Sequence, residues 1–492
     1  MSVEPCDLPA VAARALIGRR ALSPVELVES CIARTLEIDP AVNAMPTRGF
    51  PAARAAAARA EAAIMAGEAL PPLHGLPLAV KDTHAAAGLP FTQGSVIFRD
   101  RVAEQDERLV AGLRAAGAIV LGKTNVPEFA AGANTRNAVF GATGNPFDPT
   151  RSAAGSSGGS AVALACGMAP LATGSDTGGS LRNPASFCGV VGFRPTPGLV
   201  ANAGRPHGWS VLPVDGPMAR NVPDLCLLLS AMVSGDRGDP LARPADPAAY
   251  AVPAPMDLSS LRVALTPDFG FAATERVVAR AFAEKTAQFR HVFARADDAA
   301  PDCAGADEAF AVLRAVGFLA SHLERVQGRP ADVGPNVTAN VAEGLGYSAA
   351  DVSRALALQT QMYRQWQAFF DGYDVVLAPS ITISPRPWTE LHPAEIDGWA
   401  MGSYYQWLAL AYAATVVGFP AVSLPVGLDA LGMPFGLQVV GRRGADAAVL
   451  AVAAALERML AGMPGLARPE PDLAKLRAAP PIAGMPGFMG MG

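Results

Sequence analysis

The residues best suited to chemistry lie between Ala153 and Ser186, in "AAGSSGGSAVALACGMAPLATGSDTGGSLRNPAS". The stretch holds six serines and seven glycines in 34 residues, and Asp176 and Arg182 are its only charges. Such a composition suits a flexible linker, a phosphate cradle, or a serine nucleophile with an oxyanion site. A linker would not carry the apolar run "AVALACGMAPLA" between its two Gly/Ser clusters. The pattern reads instead as loop, short helix or strand, loop. Glycine at the loops lets backbone N–H groups converge.

Two short motifs compete for attention. Gly117–Thr124, "GAIVLGKT", satisfies the P-loop pattern G-x-x-x-x-G-K-[ST]. Its variable positions are Ala, Ile, Val and Leu, which favour a buried strand over a concave nest, and Pro127 obstructs the helix a P-loop needs. Gly155–Gly159, "GSSGG", satisfies the nucleophile elbow G-x-S-x-G and would make Ser157 a nucleophile, with His207, His291, His322 or His392 downstream. The elbow needs a strand directly before it, and "GNPFDPTRSAAG" is rich in turn residues instead. The six histidines form no HExxH or HxH pattern, so a metal site has no support. No S-x-x-K occurs.

Arginine outnumbers lysine 35 to 4, so Lys81, Lys123, Lys285 and Lys475 stand out. Lys81 ends the apolar run "LPLAV". Taken alone it reads as a surface lysine at a strand edge. Together with "AAGSSGGSA", "GSDTGGSLRNPA", "GKTNVPEFA", "VVGFRPTPG", "GPMARNVPDL", "GFPAVSLPVG" and "PFGLQVVGR", it reads otherwise. These segments span most of residues 70–235 and 370–460, and the chain resembles the amidase signature family, whose members use a Ser-Ser-Lys triad.

The resemblance implies Ser180 as nucleophile, Ser156 as bridging serine after a cis Gly155–Ser156 peptide, and Lys81 as terminal base. It implies an oxyanion hole from the N–H groups of Thr177, Gly178, Gly179 and Ser180, with Asp176 and Arg182 bracing the loop and Gly155 and Ser157 in support. One departure is Ala154, where the family has glycine. The chemistry is consistent. A serine hydroxyl attacks well only once its proton is removed. A neutral lysine can remove it, at a cost of about 4.6 kcal/mol at pH 7 for an unperturbed side chain. Full burial lowers a lysine pKa by about 3–5 units, which covers that cost.

The expected function is amide hydrolysis through an acyl-enzyme, without metal or cofactor. A stand-alone bacterial-type amidase is expected, similar to aryl amidases and urethanases, that cleaves aryl or alkyl amides, esters and carbamates. The alternatives are a glutamine-hydrolysing subunit of a tRNA-dependent amidotransferase and a non-catalytic binding protein on the same scaffold. The uncharged segment Trp399–Tyr412 carries five aromatics. It is expected to wall the pocket and to offer no cation for a free carboxylate, although the same aromatics would serve equally as core.

These residues need a scaffold. "SPVELVES" opens a helix with a capping box at Ser23 and Glu26, and the Ala-rich helix from Ala52 ends at Gly67. "LHGLPLAVKD", the helix "ERLVAGLRAAG" and the strand "AIVLGKT" alternate as in an α/β core with parallel strands. "DRGDPLARPADPAAYAVPAPMD" reads as a surface connection, and Phe271–Gly372 reads as helical with charged faces. "YDVVLAPSIT", "AVSLPVG" and "PFGLQVVGRR" read as strands, "DAAVLAVAAALERML" as a closing helix, and the aperiodic tail "PPIAGMPGFMGMG" as mobile or loosely packed.

With the resemblance, this implies one α/β/α domain over 1–492 with a mixed, twisted central sheet surrounded by helices. Its parts are N-terminal helices (1–70), signature core (71–235), variable helical flank (236–370), C-terminal core (371–470) and tail (471–492).

The bulk numbers set the class. The chain has 492 residues, a net charge of −5, 51% hydrophobic and 17% charged residues, so a large core is expected. Mild acidity without a basic block argues against nucleic acid as partner. The uncharged segment Gly398–Leu428 is interrupted by Gln406, prolines and glycines, which favours core over membrane. Six cysteines far apart, none in a CxxC, suit buried thiols in a reducing cytoplasm. The expected partners are a small amide and water, and the oligomeric state stays open, a homodimer included.

Overall fold

The computed structural model describes residues 4–490. Eleven strands form one mixed sheet. They are β1 (Thr47–Arg48), β2 (Pro77–Lys81), β3 (Ile119–Thr124), β4 (Leu171–Asp176), β5 (Val191–Arg194), β6 (Val214–Ala219), β7 (Arg262–Leu265), β8 (Arg295–Asp298), β9 (Val375–Pro379), β10 (Ala421–Leu428) and β11 (Pro434–Gly441). Their order is β1-β3-β2-β4-β6-β5-β10-β11-β9-β7-β8, and helices surround them. Strands β2, β3 and β4 run parallel, as do β7, β8 and β9. Between these groups the pairings are antiparallel. The alternation of helix and strand therefore describes the two flanks of the sheet and not its centre.

Local chemistry explains the elements read from sequence. Ser23 accepts from the Val25 N–H at 2.9 Å while Glu26 accepts from the Ser23 N–H at 3.0 Å, which starts the helix Pro24–Val42. The helix Phe50–Ala66 stops at Gly67, whose φ of 73° only glycine adopts freely. Residues 398–428 contain the buried helix Ala409–Val417, a turn at Gly418 and the buried strand β10. Among the described residues, no helix is long and apolar enough to cross a membrane. All six cysteines are free and buried.

Two parts differ from the sequence reading. The flank read as helical also contributes β7 and β8. Each has four residues, and β8 is the charged edge "RADD", so neither shows an apolar alternation. The tail is anchored as far as it is described. Ile482 is buried with Trp388 and Ala142, and Phe488 packs against Gly141, where a Cβ would approach its ring to 2.1 Å. Isolated apolar residues hold it, which periodicity cannot reveal.

The P-loop match is a buried strand. Lys123 lies in β3 and donates to Asp82 at 2.8 Å, each only 1% exposed. Lys123→Met is expected to lower stability by about 3–5 kcal/mol, because Asp82 is left buried without its partner. Adding Asp82→Leu should recover most of the loss. Urea unfolding of the two variants checks this, and equal stability of parent and Lys123→Met would refute it.

Candidate active site

The site opens where strands separate. The β2–β4 ladder holds at Leu78↔Leu171 and Ala79↔Ala172 and then ends. Beyond it, side chains replace backbone partners. The Lys81 N–H donates to Thr173 Oγ1 at 2.9 Å, and Ser160 Oγ donates to the Thr173 carbonyl at 2.9 Å. This divergence at the carboxyl ends of parallel strands leaves a crevice, the usual place for a ligand in such sheets.

Lys81, at the end of β2, is fully buried. Its Nζ donates to Ser156 Oγ at 2.7 Å and to Ser175 Oγ at 2.8 Å. Burial pushes its pKa down, Asp215 and Asp176 pull it partly back, and it comes to about 7. Asp215 stands on β6 directly across from Ser175 and accepts from Asn202 Nδ2 at 2.7 Å. His84 Nδ1 lies 2.6 Å from Glu107 and its Nε2 lies 3.9 Å from Asp215, so His84 stands between Glu107 and the acid across from Ser175.

Ser156 follows a cis Gly155–Ser156 peptide and immediately precedes the helix Gly158–Ala165 by way of Ser157. Gly155 packs against Thr135 and the Ala133 backbone. Ser157 is buried, and its Oγ is 3.4 Å from both the backbone N–H and the carbonyl of Ser175. No histidine bonds to it among the described residues, and no strand leads into it, so the elbow geometry is absent. The Ser157 N–H donates to the Ser180 carbonyl at 3.2 Å and ties the two serine loops together.

Ser180 lines a cavity of about 210 Å³ with Thr177 and Gly178, and its hydroxyl makes no hydrogen bond among the described residues. The loop before it is held by Asp176. This buried carboxylate accepts from the Gly179 N–H at 2.9 Å, the Leu181 N–H at 3.2 Å, and Arg182 at 2.9 and 3.0 Å. Arg194 on β5 adds a contact at 3.3 Å. Burial alone would raise the Asp176 pKa, but Arg182 and Arg194 hold it well below the usual carboxylate range. Gly179 has φ of 103°, and a Cβ there would fall 2.4 Å from Asn183 and 2.5 Å from Ala411.

The structure thus brings Lys81, Ser156, Ser180, Asp176, Arg182 and the loop Thr177–Gly179 into one place. It also shows that the Gly179 N–H is already engaged by Asp176. The N–H groups of Thr177, Gly178 and Ser180 have no partner among the described residues. Thr173, Ser175, Arg194 and Asp215 do not stand out in the sequence reading. Thr173 and Ser175 carry a usable signal all the same, because alternate residues of a strand share a face.

The pocket wall differs from expectation. Trp399 is 72% exposed, whereas Tyr404, Tyr405, Trp407 and Tyr412 are buried. Their polar atoms are satisfied inside the protein: Tyr405 donates to Glu343, Tyr412 to Asp307, and Trp407 to the Tyr404 carbonyl. Only Leu408 of that segment lines the cavity. The other walls come from Phe129, from Arg205–Pro213, and from the helix Ala306–Gly328, which brings Arg314, Phe318 and His322. Arginine therefore does line this cavity, contrary to the sequence reading, because the flank folds back over Ser180.

The family model for amidases matches residues 26–450, and the chain belongs to that family. It is 33% identical over 456 residues to an acylamidase of Rhodococcus erythropolis, covering 92% of this chain and 95% of that one. It is 35% identical over 442 residues to one subunit of the glutamyl-tRNA(Gln) amidotransferase of Thermus thermophilus, covering 84% of this chain and 89% of that one. A bacterial aryl acylamidase of the amidase signature enzymes superposes with a TM-score of 0.84 at 27% identity, covering 97% of this chain and 99% of that one. The protein is a hydrolase acting on amide carbon–nitrogen bonds.

Ala154, the departure from the family pattern, has φ of 55°. A non-glycine residue in this region costs about 1–2 kcal/mol, partly offset by the greater freedom glycine gains in the unfolded chain. Ala154→Gly is therefore expected to stabilise the protein by up to about 1 kcal/mol, read as a higher urea midpoint. A lower midpoint would show that Ala154 contributes packing that outweighs its backbone strain.

Proposed function

We propose that the protein is a stand-alone amidase that works through an acyl-enzyme on Ser180. The observation that carries this is the 2.7 Å hydrogen bond from a fully buried Lys81 to Ser156, beside a cavity that holds the Ser180 hydroxyl. With its pKa near 7, Lys81 is largely neutral at slightly alkaline pH and can accept a proton.

In the proposed sequence, Ser180 Oγ attacks the amide carbonyl. Its proton passes to Ser156 Oγ as the Ser156 proton passes to Lys81 Nζ. The free N–H groups of the 177–180 loop stabilise the oxyanion. The relay then runs backward and protonates the leaving amine, so the C–N bond breaks and the acyl group remains on Ser180. Water enters by the same route, and its proton takes the same path, which releases the acid and restores the hydroxyl.

Aryl and alkyl amides are the proposed substrates, with small aryl esters and aryl carbamates open to the same attack. Among the described residues no aspartate or glutamate lines the cavity, so the ammonium of glutamine finds no counter-charge in that lining. That favours the stand-alone reading over a glutamine-hydrolysing subunit. Better turnover of glutamine than of an anilide, or turnover only with an added partner, would reverse the preference.

Ser180→Ala should reduce kcat/KM on an anilide by more than about a thousandfold while the fold persists. Activity above that level would reject Ser180 as nucleophile. Ser156→Ala should be far more damaging than Ser157→Ala, and the opposite order would contradict the relay. The sign of the pH dependence follows from Lys81. Its pKa is lowered, so the neutral base is present above about pH 7 and is lost below it. The acid limb of kcat/KM should therefore show an apparent pKa near 7, and a flat profile from pH 5 to 9 would exclude Lys81 as base.

A further inference from the structure

Arg314 is 7% exposed and has no carboxylate partner among the described residues. It lies in the helix Ala306–Gly328 and lines the same cavity as Ser180. Its Nη2 donates to the Tyr404 hydroxyl, its Nε is buried without a partner, and its Nη1 makes no hydrogen bond among the described residues. Four rings surround the guanidinium: Phe318 at 4.7 Å, Tyr404 at 5.2 Å, Tyr405 at 5.4 Å and Phe310 at 5.9 Å. Aromatic faces attract a cation but do not neutralise it. Tyr405 and Tyr347 donate to Glu343, the acid near these rings.

The other charged or titratable groups of the cavity do not supply the missing anion. Arg205 pairs with Asp239 at 2.9 Å, outside the cavity lining. His322 is kept neutral at pH 7, because burial and then Arg325 and Arg314 push its pKa down to about 4. His207 is the remaining titratable side chain of the lining. A buried guanidinium without a counter-ion is costly, and a planar fork with free N–H groups suits a carboxylate in particular.

We infer that Arg314 is the carboxylate-binding residue of the substrate pocket, and that the preferred substrates are amides with an apolar spacer and a carboxylate. This rests on the amide-hydrolase reading and deepens it. Leu313, Phe318, Leu408 and Phe129 supply the apolar wall for the spacer. Because no acid lines the cavity, a free amino group on the same substrate is disfavoured. Glutamine meets one half of this requirement and fails the other.

The test compares two pairs of anilides: glutaranilic acid with valeranilide, and 4-acetamidobenzoate with 4-methylacetanilide. One pair carries its carboxylate on the acyl side, the other on the amine side. Wild type should favour the carboxylate in at least one pair by tenfold or more in kcat/KM. Arg314→Met should abolish that preference, with the carboxylate substrate losing at least tenfold more in kcat/KM than its neutral partner, and Arg314→Lys should keep part of it. No carboxylate preference in either pair, or a preference that persists in Arg314→Met, overturns the inference. Calorimetric titration with glutarate gives a reading independent of turnover. Binding to wild type that weakens at least tenfold in Arg314→Met supports the subsite, and absent or equal binding overturns it. If wild type cleaves no anilide yet binds glutarate through Arg314, the proposed aryl amide substrates fail and the subsite stands.

Discussion

A fully buried lysine without a direct ion pair among the described residues governs the rest of this structure. Lys81 ends a buried strand, and its Nζ meets two serine hydroxyls instead of a carboxylate. Desolvation disfavours the ammonium, and the distance-weakened fields of Asp215 and Asp176 return only part of that loss. A carboxylate in direct contact opposes that loss, as Asp82 does for Lys123 one strand away, although burial still lowers the Lys123 pKa. The two lysines share burial and differ in partner, so Lys81 is the one proposed as base and Lys123 is an ion pair within the core.

The serine loops depend on a second buried charge. Asp176 gathers two arginines and two backbone N–H groups, and the loop that carries Ser180 is wrapped around it. Arg182 extends this outward to the Ala411 carbonyl, Gln438 and Thr415, which lie on the C-terminal half of the chain. The geometry beside Ser180 is therefore fixed by contacts that join residues 171–194 to residues 411–438. Breaking a cluster of this kind leaves uncompensated charge, which makes its disruption costly.

Much of this is legible in the chain. Ser156 and Ser180 lie within short segments whose Gly/Ser pattern is itself distinctive, Lys81 stands out only when read together with them, and β2, β3, β10 and β11 are apolar runs bounded by turn residues. Asp176 and Arg182 are six positions apart and pair locally. Thr173 and Ser175 share a strand face, a signal that places them together but not beside Lys81, and Arg194 and Asp215 are harder still, because each acts across strands whose pairing no local pattern encodes. The four-residue strands β7 and β8 sit at the shortest length at which alternation can be read, and neither shows it. The pocket wall escapes the sequence for a similar reason. Five aromatics in one uncharged segment suggest a pocket, yet four of them are buried with their polar atoms satisfied and Trp399 is exposed, and the wall comes from Phe129, from residues 205–213 and from a helix about a hundred residues upstream.

The claim that the buried lysine and its serine relay activate Ser180 is tested most directly by labelling with a serine-directed fluorophosphonate and mapping the adduct by mass spectrometry. The account predicts one modified serine, Ser180, with a labelling rate that rises through about pH 7 and collapses in Lys81→Met. An adduct on Ser157, or labelling of Ser180 at an undiminished rate without Lys81, would contradict it.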